Sequence, residues 1–159
     1  MLRDLVVDTN IFVHASDPEE PLSEESILFL ESLQESTAFL CVDPGFHEEP
    51  ARNRSLIGHE YLKHLKNGML GYAVVVRLAS SERMKPVSRA VGGGDAKKIL
   101  KLVPNNVRDR TFLRVALNSD DKTLSSHDLT DFPTNIRSAI RRTLNVHVRT
   151  ALETEPLLH

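Results

Sequence analysis

Apolar residues fall along this chain in short blocks separated by polar segments with turn chemistry. Leu5-Val6-Val7 is a β-branched run closed by Asp4 and Asp8, the pattern of a buried parallel strand that stops abruptly. A short helix or turn then leads through about Ala15 to Asp17-Pro18. Ser23-Glu24-Glu25 predicts a helix start, with serine as N-cap and two acids favoured by the helix dipole, and Ile27, Leu30 and Leu33 supply its apolar face. Ala38 to Val42 reads as the second strand, which Asp43-Pro44-Gly45 closes. Over 55–67, Ile57, Tyr61 and Leu65 recur at helical spacing and Asn67-Gly68 supplies the stop. Met69 to Ala79 is ambiguous: Tyr72 to Val76 has strand composition, while the flanks could continue a helix.

Pro86 to Gly94 is the most loop-like stretch, and Asp95 is expected to cap a short helix to about Val103. A helix from Val107 to about Asn118 carries Phe112, Leu113, Ala116 and Leu117. Lys122 to Ser126 reads as a strand, Pro133 as the first residue of a helix, and Val146 to Val148 as the last strand. Strands alternating with helices predict one α/β domain over residues 1–159, a three-layer α/β/α sandwich with a mostly parallel sheet. Such sheets bind ligands at the carboxyl ends of their strands, where the strand order switches.

That rule directs attention to acids. Asp8-Thr9-Asn10 directly follows the first strand, although aspartate there serves equally well as a helix N-cap. With Phe112 as reference and about 100° per residue, Asp109 falls at about 60°, between Ala116 and Leu113, so it points inward. A first-turn acid stabilised by the helix dipole needs no such direction. Glu60 lies at the border of its helix's apolar stripe, where a surface glutamate could also sit. Ser126-His127-Asp128-Leu129-Thr130-Asp131-Phe132 again follows a strand, and the bland alternative is a loop leading into the next helix. Carboxylates brought together in a low-dielectric cleft cannot all stay ionised without cations. An all-oxygen ligand set suits Mg²⁺ or Mn²⁺ rather than Zn²⁺.

The rest of the chemistry is quieter. The chain has 159 residues, 40% hydrophobic, with 20 basic against 22 acidic side chains and a formal charge of −2, which describes a domain able to bury its own core. The small net charge argues against nucleic-acid binding by a uniformly basic surface but leaves room for an acidic site within a basic rim. Cys41 is the one cysteine and reads as a small core hydrophobe, excluding a disulfide or thiolate cluster within the chain. No window approaches the roughly 18 apolar residues of a membrane span, and Asp4 and Asp8 interrupt any signal-peptide core, so a cytoplasmic protein is expected. Gly92-Gly93-Gly94-Asp95 lacks the lysine of a phosphate-binding loop. A phosphatase of the haloacid-dehalogenase type needs a second aspartate where Asn10 stands. A receiver-like domain would have Lys85-Pro86 after its fifth strand, yet about half the expected strands follow that pair.

Taken in order, Val6-Val7-Asp8-Thr9-Asn10, Ile57-Gly58-His59-Glu60-Tyr61 with Leu65, Asp109-Arg110-Thr111-Phe112-Leu113-Arg114-Val115-Ala116, and Ser126 to Phe132 resemble the PIN-domain family of metal-dependent nucleases. No single piece is specific; the ordered set covers most of the chain. By this resemblance Asp8, Glu60, Asp109 and Asp128 match the family's acidic ligands, Asp131 its auxiliary acid, and Asn10 and Ser126 its polar supports. Glu48 or Glu49 is an alternative for the second acid, disfavoured by Pro50 directly after them. His127 stands where the family often has another residue, and it is a candidate for touching substrate.

The resemblance implies Mg²⁺- or Mn²⁺-dependent hydrolysis of RNA, with a PIN-like module that only binds RNA or a partner as the alternative. Arg108 and Arg110 are the candidate substrate contacts, with Arg114 and with Arg137, Arg141 and Arg142 of the last long helix as further rim cations. Setting aside the five site acids turns the formal −2 into +3 for the remainder, so a negative cleft within a positive rim is expected. A stand-alone domain of this kind is compatible with a homodimer and with an antitoxin or other regulatory partner.

Overall fold

A computed structural model describes all residues, Met1–His159. Five strands form one all-parallel sheet: β1 (Asp4–Val7), β2 (Phe39–Val42), β3 (Met84–Pro86), β4 (Thr123–Ser125) and β5 (His147–Arg149), in the order β3-β2-β1-β4-β5. Eight helices complete a three-layer α/β/α fold: α1 (Thr9–Ala15), α2 (Ser23–Glu35), α3 (Leu56–His64), α4 (Leu70–Ser80), α5 (Gly93–Leu102), α6 (Val107–Asn118), α7 (Thr134–Leu144) and α8 (Ala151–Thr154). α1, α2, α4 and α8 pack in one group, while α6 lies against β1, β2 and β4 with α3 and α5 beside it. No helix is long and apolar enough to cross a membrane.

All four residues of β1 are buried, as expected for the central strand of a sheet covered on both faces. From β1 the chain winds outward to β2 and β3, then returns to lay β4 on the other side of β1. The reversal of strand order therefore lies between β1 and β4, and their carboxyl ends are in register, with Val7 opposite Ser125. The ladder runs on past them: Asp8 N–H donates to Ser125 O at 2.8 Å and Ser126 N–H to Arg149 O at 2.8 Å. Cys41 is fully buried in β2, where burial chiefly drives its thiol far above the ordinary range, in keeping with a core role.

Several local expectations are corrected. The ambiguous Met69 to Ala79 run is helical because Gly71 lets α4 come against α1: a Cβ there would stand 2.5 Å from Phe12 O. Pro86 ends strand β3, not a loop start; an edge strand tolerates proline, and three residues leave almost no alternation to read. Lys85-Pro86 thus belongs to the sheet. Helix α5 begins at Gly93 with Gly92 as cap, placing Asp95 inside the first turn, and α2 is capped by Leu22 with Ser23 as its first residue. Pro133 occupies the cap of α7 rather than its first position. The expected 55–67 helix stops at His64, and α8 with a 3₁₀ turn (Glu155–Leu157) follows β5 unforeseen.

Candidate metal centre

Three of the predicted acids meet at the strand-order reversal. One carboxylate oxygen each from Asp8, Asp109 and Asp128 lies within 4.8 Å of the other two. Asp8 directly follows β1 and caps α1, as the helix-cap reading expects, while its carboxylate also faces the cleft: Oδ1 accepts from Asn10 N–H at 3.5 Å, and Oδ2 from Asn10 Nδ2 at 3.3 Å and the Ser126 hydroxyl at 2.7 Å. Ser126 Oγ in turn accepts from Asp128 N–H at 3.0 Å. Asp128 Oδ1 accepts from the backbone N–H of Thr130 and of Asp131, each at 2.9 Å, closing the loop after β4 into a turn.

The same chain of bonds reaches α6. Asp131 Oδ2 accepts from Asn106 Nδ2 at 3.1 Å, and Asn106 Oδ1 caps the helix by accepting from Arg108 and Asp109 N–H at 3.0 and 3.3 Å. Asp109 enters from this first turn and is only 4% exposed, and its Oδ2 is buried without a hydrogen-bond partner. Thr9 Oγ1, in the same cleft, is also buried and unpartnered. An acceptor left dry in this way costs about 1–3 kcal/mol, more when charged, unless something fills the gap.

Electrostatics points the same way. Burial, aided by the neighbouring carboxyls of Asp131, Asp8 and Asp128, pushes Asp109 up to about 9. Asp8 is pushed up to about 6, again mainly by burial, against the opposing hydrogen bonds from Ser126 and Asn10. At neutral pH Asp109 therefore holds a proton in the bare protein and would release it to a cation, and the all-carboxylate donor set fits a hard divalent ion.

Glu60 lies on the wall of the same cleft, of about 240 Å³, together with Asn10, His64 and Arg108. It is not part of the three-carboxylate cluster: its Oε2 is 3.2 Å from Arg108 Nη1 and 3.5 Å from His64 Nε2. Its position is set from β2, since Asp43 accepts from Ser55 Oγ (2.6 Å), Leu56 N–H (2.7 Å) and Ile57 N–H (2.8 Å) at the start of α3. Tyr61 next to it is fully buried and donates its hydroxyl to Val7 O at 2.5 Å, pinning α3 to the end of β1. Glu48 and Glu49 are exposed and outside the cleft; Glu49 faces Arg52 at 3.8 Å, and Glu48 borders a separate depression with Val42 and Gly45.

Arg108 is the arginine that lines the cleft. Arg110 instead donates to Val103 O and Pro104 O, both at 2.9 Å, and holds the turn ahead of α6. Asp131 stands behind the cluster against Asn106 rather than among the lining residues. His127 is buried, not turned to the cleft. Its Nε2 accepts from Ala151 N–H at 3.2 Å, its ring stacks on His14 with 2.9 Å between the Nδ1 atoms, and its backbone N–H donates to Asn10 Oδ1 at 3.2 Å. Burial, with the neighbouring His14 and Arg137, lowers it to about 4, so it is a neutral support for Asn10 at neutral pH.

Sequence reasoning missed Asn106, although Pro104-Asn105-Asn106 before an inward acid is a helix-cap signal. It gave no role to Thr9, although Thr9 lies within the Asp8-Thr9-Asn10 motif, or to His14, which no local pattern marks. In comparisons with known proteins, no family model matches the chain, and no curated protein and no solved structure matches it.

Proposed function

We propose that the protein is a PIN-like, Mg²⁺- or Mn²⁺-dependent phosphodiester hydrolase acting on RNA. The observation that carries this reading is the meeting of Asp8, Asp109 and Asp128 at the strand-order reversal, with Asp109 Oδ2 buried and unpartnered. Asp8, Asp109 and Asp128 would hold the ion, with Glu60 on the cleft wall. When bound, such an ion lowers the pKa of a water and stabilises charge on phosphate oxygens.

The chain's own residues do the rest. Ser126 and Asn10 aim Asp8, the Asp128 turn presents its second oxygen to the cleft, and Asn106 fixes the first turn of α6 so that Asp109 faces both. Arg108, 53% exposed at its side chain beside Glu60, offers a guanidinium to an incoming phosphate at the cleft mouth. In this reading the nucleophile is a water activated at the ion, so no side chain need attack the phosphate. The preference for RNA over other phosphodiesters comes from the PIN-domain resemblance of the ordered motifs.

The test is cleavage of end-labelled single-stranded RNA with Mn²⁺, Mg²⁺ or EDTA. Wild type should cleave only with the divalent ion, and Asp8→Asn and Asp128→Asn should lose at least about a hundredfold in rate while keeping the wild-type circular dichroism. Equal cleavage by Asp8→Asn would expose a contaminating nuclease and sink the assignment.

A further inference from the structure

The cations at the β5 edge of the sheet form a second site. Arg137, Arg141 and Arg142 of α7 and His147 and Arg149 of β5 line a shallow groove of about 390 Å³. None of the four arginines is within ion-pair distance of a carboxylate, and what sets them apart from the chain's other unpaired cations is that they share one groove. The one acid in the groove, Glu153, is occupied elsewhere, its Oε2 accepting from Thr150 N–H at 2.8 Å in the cap of α8. Arg149 Nε is buried with no acceptor at all.

Several guanidiniums are held in place by the fold. Arg149 Nη2 donates to His147 Nδ1 at 3.0 Å, and Arg141 Nη1 donates to Asn145 Oδ1. Asn145 adopts the left-handed conformation (φ 56°) that turns the chain from α7 into β5. Arg137 Nε donates to Phe132 O at 2.6 Å and its Nη2 to Ser126 O at 3.1 Å. Ser126 is the residue whose hydroxyl holds Asp8, so the groove begins one residue from the acidic cleft. Arg149 ends β5 at the same carboxyl rim as Asp8 and Ser126.

Like charges gathered on one rim repel one another, and Glu153 is the single carboxylate set among the four arginines and His147. A polyanion supplies counter-charges and releases its own condensed ions on binding. A protein partner would want an apolar centre, but Val148 is the only apolar residue lining this groove.

We propose that the α7–β5 groove binds the phosphate backbone of the RNA strand and leads it past Arg137 to the acidic cleft. The direction of the strand rests on the nuclease reading; the binding itself does not need it. The probe is a fluorescein-labelled oligouridine of about 12 nucleotides, within the range small domains cover, followed by anisotropy in EDTA from about 50 to 200 mM salt. Arg141 and Arg142 are exposed, so Arg141→Ser/Arg142→Ser should fold as wild type.

Loss of two backbone contacts should reduce the slope of log K against log salt by about 1.4, so that wild type loses about sevenfold more affinity over that range than the variant. Arg141→Lys/Arg142→Lys should restore the slope, and Arg149→Met should lower it further. If oligouridine binds with an unchanged slope in the serine variant, or if the arginines matter only for an oligoglutamate competitor, the proposal is overturned. If the groove variants lose RNA while no form of the protein cleaves with Mn²⁺, the groove stands and the hydrolase reading falls. If cleavage depends on the divalent ion and on Asp8 while the slope is indifferent to the arginines, the hydrolase reading stands and the groove falls.

Discussion

Replacing Asp109 by asparagine should make the metal-free protein more stable, a direction opposite to that of most substitutions of a buried residue. The wild-type carboxyl is pushed from 3.8 up to about 9, chiefly by burial and then by Asp131, Asp8 and Asp128. Because this acid's pKa is higher folded than unfolded, the penalty is absent below about pH 4 and grows as pH rises toward about 9. At about 1.4 kcal/mol per pH unit, the span from 3.8 to pH 7 bounds the penalty near 4 kcal/mol. The open mouth of the cleft and proton sharing with Asp8 reduce this to about 2 kcal/mol.

Asparagine carries no charge, and its amide can donate to the carboxylates around it, so Asp109→Asn should gain about 2 kcal/mol in EDTA at pH 7 and about none at pH 4. Urea unfolding of both proteins at several pH values, with and without Mn²⁺, is the assay. Wild type should be stabilised by Mn²⁺, since ligand binding to the folded state alone raises stability, and the variant should respond far less. A variant less stable than wild type in EDTA across pH 5 to 8 would refute the idea that Asp109 is held against an electrostatic penalty.

Two further substitutions test how the site is supported. Asp43→Ala removes three hydrogen bonds at the start of α3 and should cost about 2–4 kcal/mol in urea unfolding, and it should lower divalent-dependent cleavage because Glu60 and Tyr61 ride on that helix. Asp4, at the opposite end of the sheet, makes an internal control. Burial works to raise its pKa but is outweighed by Lys85 at 2.7 Å and the Asp121 and Asp120 N–H groups, so its carboxyl is held below 3.8. Its contribution is therefore present above about pH 4 and lost as pH falls through the lower folded value. Asp4→Asn should flatten that acid limb in a pH series of thermal melts, with about 1–2 kcal/mol lost at pH 7, and leave RNA cleavage at neutral pH intact.

Much of the fold was written in local pattern. β1, β2, α6 and the turn after β4 are each readable from a buried apolar run, a cap or a helical period within a dozen residues. The same is true of the inward direction of Asp109, which needs only the angular position of one residue on its own helix. β3 escaped because three residues ending in proline carry no period, and α4 because β-branched residues on a helix become legible only when Gly71 is seen against Phe12 O.

What the linear pattern could not hold was the relation between distant segments. Asp43 looks like one residue of a turn, yet it caps a helix that starts 13 residues later. Arg110 and Arg108 look alike in sequence; one is tied to the carbonyls before α6 and the other faces the cleft. Arg137 and Arg149 become part of one charged groove beside Ser126 only when β5 is laid next to β4. Residue type and spacing determined which acids were available and that the chain would wind a parallel sheet. Tertiary structure decided which acids share one low-dielectric pocket and which cations are left without partners. Electrostatic energy depends on distance and burial in space, and neither is set by separation along the chain.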